Sequence, residues 1–246
     1  MVYDGPSRLN GDRIVAIVTG LSRATQNAKT GEMAQLWILA TSHDPVSARH
    51  AGADEAICGH CAFRPAEDDP RRCYVNVGQA PASVYRAWTI DRYPTASAAS
   101  VASFLAERSL PIRLGAYGDP AALPVRVLRD LTRKVRAYER DASAGSTGYT
   151  HQWRRYKALS SLVMASCDNP EDVTAAVARG YRTFRVRGPE DELLPSEIMC
   201  PASDEAGNRT TCAACQLCDG SRGPNDRRKN IAIIDHGPTA ARKVAA

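Results

Sequence analysis

The sequence predicts an α/β protein, with a mostly parallel sheet arranged as a complete or partial (β/α) barrel that carries two cysteine-ligated metal or iron–sulfur sites. Short apolar, β-branched runs alternate along the chain with longer helical stretches, which is the order typical of parallel sheets. The number of runs suits a barrel better than a sandwich, and 246 residues is an ordinary length for one barrel domain. We therefore expect a single domain over residues 1–246, with a cysteine-rich C-terminal segment from about 198 to 220.

The individual elements follow from apolar runs that end at turn residues and from helical spacing of apolar residues. Strands are predicted at 13–18, 35–40, 112–117, 147–151, 162–165, 181–187 and 231–234. Helices are predicted at 83–90, 97–110, 121–140 and from Asn169 to Gly180. The third of these helices is amphipathic, with Arg and Lys between its apolar positions, so we expect it in an outer layer.

The composition narrows the protein class. The hydrophobic content of 43% and charged content of 24% are ordinary for a globular protein, and no apolar stretch approaches the roughly 20 residues that span a bilayer. The first residues have neither the basic start nor the apolar run of a signal peptide, so we expect a cytoplasmic protein that makes no membrane contact. A net charge of +5 permits an acidic partner without requiring one.

Seven of the eight cysteines fall into two groups. The first cysteine group is Cys58, Cys61 and Cys73, and the second cysteine group is Cys200, Cys212, Cys215 and Cys218. A reducing compartment disfavours disulfides, so closely spaced cysteines there are more often metal ligands or redox groups. We therefore predict that all seven are metal ligands.

The two groups differ in the number of ligands that they supply. Four thiolates complete a tetrahedral zinc site or hold an iron–sulfur cluster, and the spacing does not separate the two metals. The first cysteine group is one ligand short, so His60 or a distant residue completes it, or the position stays open for chemistry. Structural zinc knuckles are the main alternative for both groups. The eighth cysteine, Cys167, is interpreted as a small buried residue, although a role as ligand or nucleophile stays open.

Three further candidates come at the ends of predicted strands, where α/β folds place their sites. Asp119, His151 and Asp168 are the predicted catalytic residues. The alternative for Asp119 is a turn residue that caps the next helix, and a single His is more often structural than catalytic.

Basic residues suggest ligand contacts as well. Arg185 lies with Arg187 on one face of a predicted strand, where it would suit a phosphate or carboxylate, unless both arginines are simply solvated. Basic clusters at 154–155, 222 and 227–229 would suit DNA contact or plain solvated surface. Motifs of NTPases, serine hydrolases and zincins are absent from the sequence.

The order of these motifs resembles a family of largely uncharacterised bacteriophage proteins. The shared features are an early Asn-x-Lys-Thr-Gly motif, a Cys-x2-Cys group ending in Cys-Tyr, a Gly-Asp motif, a Tyr-Thr motif and a late Cys-Pro...Cys-x2-Cys-x2-Cys group. In this chain they stand at 27–31, 58–74, 118–119, 149–150 and 200–218. The resemblance implies a phage or prophage protein that acts in the host cytoplasm.

The arrangement is more remotely similar to radical SAM barrel enzymes. That similarity implies a [4Fe–4S] cluster on the first cysteine group, S-adenosylmethionine as a cofactor and an auxiliary cluster on the second cysteine group. It also implies cofactor contacts from Gly115, Gly118 and Asp119, to which we add Arg185. The superfamily's usual spacing is Cys-x3-Cys-x2-Cys, whereas this chain has x2 and x11.

Two functions therefore stand as hypotheses. The first is an iron–sulfur, radical-SAM-like enzyme that acts on a nucleotide, a nucleic acid or a small metabolite. The second is a zinc-stabilised protein that binds nucleic acid or exchanges bases, similar to the guanine-exchanging transglycosylases. A non-catalytic phage accessory protein is a third possibility.

Overall fold

A computed structural model describes residues 1–22, 27–65, 73–137 and 145–235. These ranges contain nine β-strands. In chain order they are β1 Tyr3–Pro6, β2 Arg13–Thr19, β3 Ala34–Ala40, β4 Ile112–Tyr117, β5 Ser146–Thr150, β6 Met164–Cys167, β7 Thr183–Arg187, β8 Glu197–Met199 and β9 Asn230–Ile234.

The same ranges contain seven α-helices and three short 3₁₀ turns. The helices are α1 Pro45–His50, α2 Glu55–Cys58, α3 Ala80–Thr89, α4 Ala98–Glu107, α5 Val125–Ala137, α6 Pro170–Ala178 and α7 Cys212–Cys215. The 3₁₀ turns are Pro120–Ala122, Lys157–Leu159 and Asp204–Ala206. No helix in these ranges combines the length and the apolar character needed to cross a membrane.

The strands form one mixed sheet in the order β1-β2-β3-β4-β5-β6-β7-β9-β8. The hairpin partners β1, β2 and β3 pair antiparallel, and every pairing from β3 to β8 is parallel. The prediction of a mostly parallel α/β sheet is therefore confirmed. Within the described residues no pairing joins β1 to β8, so the sheet has two edges and closure into a complete barrel is not observed.

The main core lies between the sheet and its helices. Leu114 on β4, Leu105 on α4 and Leu128 on α5 are each no more than 1% exposed within it. A second, smaller core surrounds the C-terminal strands and includes Met164, Cys200, Cys218, Ile231 and Ile233. The second cysteine group is therefore built into an apolar layer of its own.

A bulge in β4 shapes the end of that strand. Gln35 pairs with Arg113 and Trp37 pairs with Tyr117. An advance of two residues along β3 is therefore matched by an advance of four residues along β4. Gly115 takes a φ of +79°, and a Cβ at this position would lie 2.7 Å from the carbonyl oxygen of Gly118. The glycine is required because a side chain there would collide with the turn that leads into Pro120.

Some elements differ from the prediction. The long amphipathic helix starts at Val125 instead of Ala121, because Pro120–Ala122 forms a 3₁₀ turn. Its predicted end, after Ala137, falls outside the described residues. Strand β1 and the short helices α1, α2 and α7 were not predicted, since each has six residues or fewer and little periodicity.

Candidate functional site

The two cysteine groups line a single cavity of about 320 Å³. All seven cysteines contribute to its wall: Cys58, Cys61, Cys73, Cys200, Cys212, Cys215 and Cys218. The parallel strands supply alternate residues to the same cavity, among them Gly115 and Tyr117 of β4 and Phe184 and Val186 of β7. Groups separated by more than 120 residues in the chain are thus brought together on one face of the sheet.

The turn between Cys58 and Cys61 is held by a buried glutamine. Helix α2 ends at Gly59, whose φ is +52° and whose Cβ position would lie 2.9 Å from the side-chain carbon of Gln152. The Nε2 of Gln152 donates to the carbonyl oxygen of Cys58 at 3.0 Å, and this side chain is 2% exposed. Gly59 is required at this point because Gln152 occupies the space beside it.

An arginine closes the other side of the turn. Arg64 pairs with Asp54 at 2.8 Å and donates to the carbonyl oxygen of Gly59 at 3.1 Å. The Phe63 amide donates to the Cys61 sulfur at 3.4 Å. His60 is exposed and does not line the cavity, so the structure does not place it as the missing fourth ligand.

The second cysteine group is tied to three separate parts of the fold. The Cys200 amide donates to Ala232 of β9 at 2.8 Å, and the Gly148 amide of β5 donates to the Cys218 carbonyl at 3.0 Å. The Cys212 amide donates to the carbonyl oxygen of Lys29 at 3.0 Å. These long-range backbone contacts fix the segments that carry Cys200, Cys212 and Cys218 to the sheet and to the 27–31 turn.

An aromatic pair lies against the second cysteine group. Burial raises the pKa of the Cys218 thiol, and hydrogen bonding with the Tyr149 side chain opposes this shift. The Tyr149 ring packs on Phe184 with their centroids 4.3 Å apart, and both rings line the cavity. The sequence did not predict either aromatic residue as part of the site. Tyr149 appeared there only as part of the Tyr-Thr motif.

The electrostatics of the thiols favour a bound cation. Burial raises the pKa of Cys61 to about 12, the hydrogen bond from the Phe63 amide opposes this shift, and Asp119 and Cys73 add to it. Burial likewise raises the pKa of Cys212, although Arg113 and Lys29 oppose this shift. A raised pKa keeps a buried thiol protonated at neutral pH, and a bound soft metal or iron–sulfur cluster would instead stabilise the thiolate.

The donor chemistry of the cavity therefore fits a metal or cluster. In the part of the chain that the structure describes, no three His, Cys, Asp or Glu side chains are already gathered so that they could hold an ion. The thiols surround the cavity and would have to close on a bound group.

Asp119 ties together the ends of β4 and β5. Its Oδ1 accepts from the Ala121 amide at 2.9 Å and from the Thr150 hydroxyl at 2.7 Å, and its Oδ2 accepts from the His151 amide at 2.8 Å. The carboxylate lines the cavity but is only 7% exposed. Burial raises its pKa, and the hydrogen bonds from Ala121 and Thr150 oppose this shift. Its observed contacts are those of the capping alternative.

His151 presents an unpaired nitrogen at the cavity. Its Nε2 is buried and has no hydrogen-bond partner among the described residues. The ring packs edge-on against Phe63, with the centroids 5.7 Å apart, and burial lowers the pKa of the imidazole. A buried nitrogen without a partner in a cavity wall suits a ligand that supplies one.

Two predicted site residues lie outside the cavity lining. Asp168 is exposed beyond the end of β6. Arg185 is 2% exposed and forms a bidentate pair with Glu197, with the Nε and one terminal nitrogen at 2.9 and 2.7 Å from its oxygens. The alternation of Arg185 and Arg187 on one face is correct, but that face is opposite the cavity and is covered by protein. Arg185 is therefore not placed to bind a cofactor in the cavity.

The remaining residues of interest have structural partners. Cys167 is fully buried in the main core, as predicted. Arg154 pairs with Asp172, and Arg228 pairs with Asp219 and Asp226. These two members of the basic clusters are therefore partly neutralised by carboxylates of the chain itself.

No family model, curated protein or solved structure matches this chain.

Proposed function

We propose that this protein is an iron–sulfur enzyme of radical-SAM-like architecture, encoded by a phage or prophage, that modifies a nucleotide, a nucleic acid or a small metabolite. One observation carries the proposal. Both cysteine groups line the same cavity on one face of a parallel sheet. Structural zinc knuckles serve to join loops, and there is no general reason for two of them to share one cavity with strand-end residues.

The order of the parallel strands supports a partial (β/α) barrel. Strands β3, β4, β5, β6 and β7 are neighbours in chain order. Because crossover connections between parallel strands are right-handed, such an order keeps the connecting helices on one face of the sheet. The other face is then available for a site, as in barrel enzymes.

The positions of the motifs support the same proposal. The first cysteine group follows β3, which is the first strand of the parallel region, and Gly118-Asp119-Pro120 follows β4, which is the second. This is the order that the resemblance to radical SAM enzymes implies. Cys58, Cys61 and Cys73 would hold the reactive cluster, and the second cysteine group would hold an auxiliary cluster.

Bound iron–sulfur clusters would supply one-electron transfer chemistry to the cavity. The chain's own residues would orient the ligands and exclude water. Gly115 and Gly118 allow the backbone to approach the cavity closely, and Asp119 holds the Gly118 turn against β5. The unpaired Nε2 of His151 would hydrogen-bond to the bound cofactor or substrate.

Metal analysis of anaerobically purified protein tests the proposal. We expect brown protein with roughly eight irons and eight sulfides per chain, as two four-iron clusters require. Serine substitution of Cys58, Cys61 and Cys73 together should remove half of the iron. The matched control Cys167→Ala should keep all of it, because Cys167 lies in the core away from the cavity. Colourless protein that contains only zinc would overturn the proposal.

A second assay tests the radical SAM step separately. Reduced protein mixed with S-adenosylmethionine should release 5′-deoxyadenosine, and the Cys61→Ser variant should release none. Intact clusters without this product would remove the radical SAM assignment and leave an iron–sulfur protein of another kind.

The alternative function is a zinc-stabilised nucleic-acid-binding or base-exchanging protein. One observation favours it, because the second cysteine group joins β5, β9 and the turn at 27–31 as a structural zinc site would. The internal pairing of Arg154 and Arg228 weakens it, since these side chains have carboxylate partners already. Zinc as the only metal, together with DNA affinity that falls steeply with salt, would favour this alternative.

A further inference from the structure

The Asn-x-Lys-Thr-Gly motif has no part in the function proposed above, yet the structure places it at the cavity. The side-chain oxygen of Asn27 accepts from the amides of Lys29 and Thr30 at 3.1 and 3.0 Å, which closes a tight turn. At Gly31 φ is +67°, and a Cβ there would lie 2.7 Å from the Thr211 hydroxyl oxygen. The turn therefore docks directly on the segment that begins the Cys212 helix.

This docking brings Lys29 to the cavity wall beside the second cysteine group. The carbonyl oxygens of Lys29 and Thr30 accept from the amides of Cys212 and Ala213 at 3.0 and 2.9 Å. The Lys29 side chain lines the cavity and acts electrostatically on Cys200 and Cys212. A local turn motif thus contributes a cation to a cavity formed by distant strands.

Arg113 supplies a second cation to the same end of the cavity. It lies on β4 two residues before Gly115, on the face that lines the cavity, and it also acts on Cys212. Neither Arg113 nor Lys29 has a side-chain hydrogen bond or a carboxylate partner within the described ranges. In contrast, the arginines on the opposite face of β7 are paired with Glu197 and Glu205.

Aromatic side chains supply much of the remaining wall. Tyr149 and Phe184 form one aromatic pair, and Phe63 and Tyr74 form another with centroids 6.2 Å apart. Tyr74 lines the cavity and is 49% exposed, so its ring can reach a bound molecule. Rings of this kind stack on planar heterocycles.

We propose that the cavity binds a small ligand that combines a planar aromatic ring with a phosphate group, which is the chemistry of a nucleotide. Arg113 and Lys29 hold the phosphate, and the aromatic residues contact the base. The guanidinium suits this role because it donates two parallel hydrogen bonds to phosphate oxygens. The inference deepens the function proposed above, because it names the substrate class of the same cavity.

Calorimetric titration of the anaerobically purified, metal-loaded protein tests the inference. The probes are the four ribonucleoside 5′-monophosphates, each compared with its own nucleoside. We expect at least one monophosphate to bind about tenfold tighter than its nucleoside, the scale of one charge-assisted hydrogen bond. Arg113→Gln and Lys29→Gln should each remove most of that difference and leave nucleoside binding unchanged.

Two matched variants sharpen the titration. Arg113→Lys keeps the charge but loses the paired donors, so it should retain part of the monophosphate preference. Arg129→Gln removes an exposed arginine of α5 that does not line the cavity, and it should change nothing.

Three results would overturn the inference: no monophosphate binds tighter than its nucleoside, Arg113→Gln keeps the full difference, or Arg113→Gln loses metal. The last result would show that the cations only balance thiolate charge. Metal content and visible spectra of the same samples test the proposed iron–sulfur function independently of the nucleotide titration. Zinc-only protein would refute the iron–sulfur enzyme, and the titration would still decide whether the cavity takes nucleotides.

Discussion

The two cysteine groups line one cavity, but the fold supports them in different ways. The second cysteine group supplies four thiols, is hydrogen-bonded to β5, β9 and the 27–31 turn, and lies within its own small core. The first cysteine group supplies three thiols from the end of a four-residue helix and from Cys73, with residues 66–72 between them outside the described structure. Its turn depends on the side chains of Gln152 and Arg64.

This difference suggests a division of roles. A complete ligand set in a stable framework suits a centre that supports the fold. An incomplete set suits a centre that exchanges ligands, and it shares its cavity with the His151 Nε2, which has no partner among the described residues. Variants that separate stability from metal binding can therefore test whether the two groups have different roles.

The largest difference in stability between the two groups should come from single cysteine substitutions. Cys218→Ser should lose the metal of the second group and lower the melting temperature by about 10 °C or more, because metal binding at such sites is part of the folding free energy. Cys61→Ser should lose the metal of the first group and lower it by less than about 4 °C. Calorimetric melting together with metal analysis measures both effects. Equal losses of stability would contradict the division of roles.

The next largest loss of stability should come from breaking the buried ion pair between Arg185 and Glu197, which precedes Cys200 in the chain. Arg185 and Glu197 are paired at 2.7 Å with side chains 2% and 0% exposed, and Glu197 begins β8. Glu197→Gln leaves a buried guanidinium without its counter-charge and should cost about 3–5 kcal/mol of unfolding free energy.

The matched control is the exposed pair of Arg13 and Asp4, where Asp4→Asn should cost at most about 1 kcal/mol. Urea unfolding measures both variants. A similar cost for the two would show that β8 is not anchored by the buried pair.

A smaller effect should come from Asp119 beside the first cysteine group. In Asp119→Asn, an amide NH₂ faces either the Thr150 and Ala121 donors or the His151 amide, so at least one hydrogen bond is replaced by a contact between donors. We expect a loss of about 1–3 kcal/mol in unfolding free energy with the metal content unchanged. Thr150→Val, which removes one of the donors, is the comparison variant. Loss of metal at unchanged stability would instead make Asp119 a direct participant in the site.

The smallest effect should appear as a pH dependence near the second cysteine group. Hydrogen bonds from Arg228 hold the pKa of Asp226 well below its usual range. Because the folded pKa is depressed, the stabilisation is present above the unfolded value of about 3.9 and is lost as the pH falls below it. The difference in unfolding free energy between the native protein and Asp226→Asn should therefore shrink as the pH falls from about 6 to about 3.

Asp130→Asn provides the control, since Asp130 is exposed on α5 and has no ion pair among the described residues. The difference in unfolding free energy between Asp130→Asn and the native protein should change much less over the same pH range. A constant difference for Asp226→Asn would mean that the Arg228 contact does not stabilise the folded state.

Much of the fold was predictable because local patterns are strong in the parallel region. The strands at 13–19, 34–40 and 112–117 were predicted within one residue from their apolar runs. Strand β1 was not predicted, because Tyr-Asp-Gly-Pro carries no strand signal and pairs only because β2 lies beside it. Helix α2 was missed since four residues have no measurable period.

The candidate metal ligands of the site could be predicted from the sequence, but the other residues that line or support the cavity could be predicted only in part. Cysteine spacing is a local property, so the seven candidate ligands were evident. The prediction that Arg185 binds a ligand was wrong, because its partner Glu197 lies on another strand. The sequence does not show which carboxylates the strand pairing brings beside an arginine. Gln152 and Arg113 carry no motif, and they gain significance only from what the fold places beside them.

The number and spacing of the candidate metal ligands and the strand–helix order of the parallel sheet follow from residues that are close together in the chain. Only the folded chain brings both cysteine groups to one cavity, neutralises Arg185 with Glu197, and leaves Lys29, Arg113 and the His151 Nε2 without a partner among the described residues. The physical reason is that burial and charge pairing depend on which strands become neighbours, and contacts across more than 100 residues are not encoded in any local pattern.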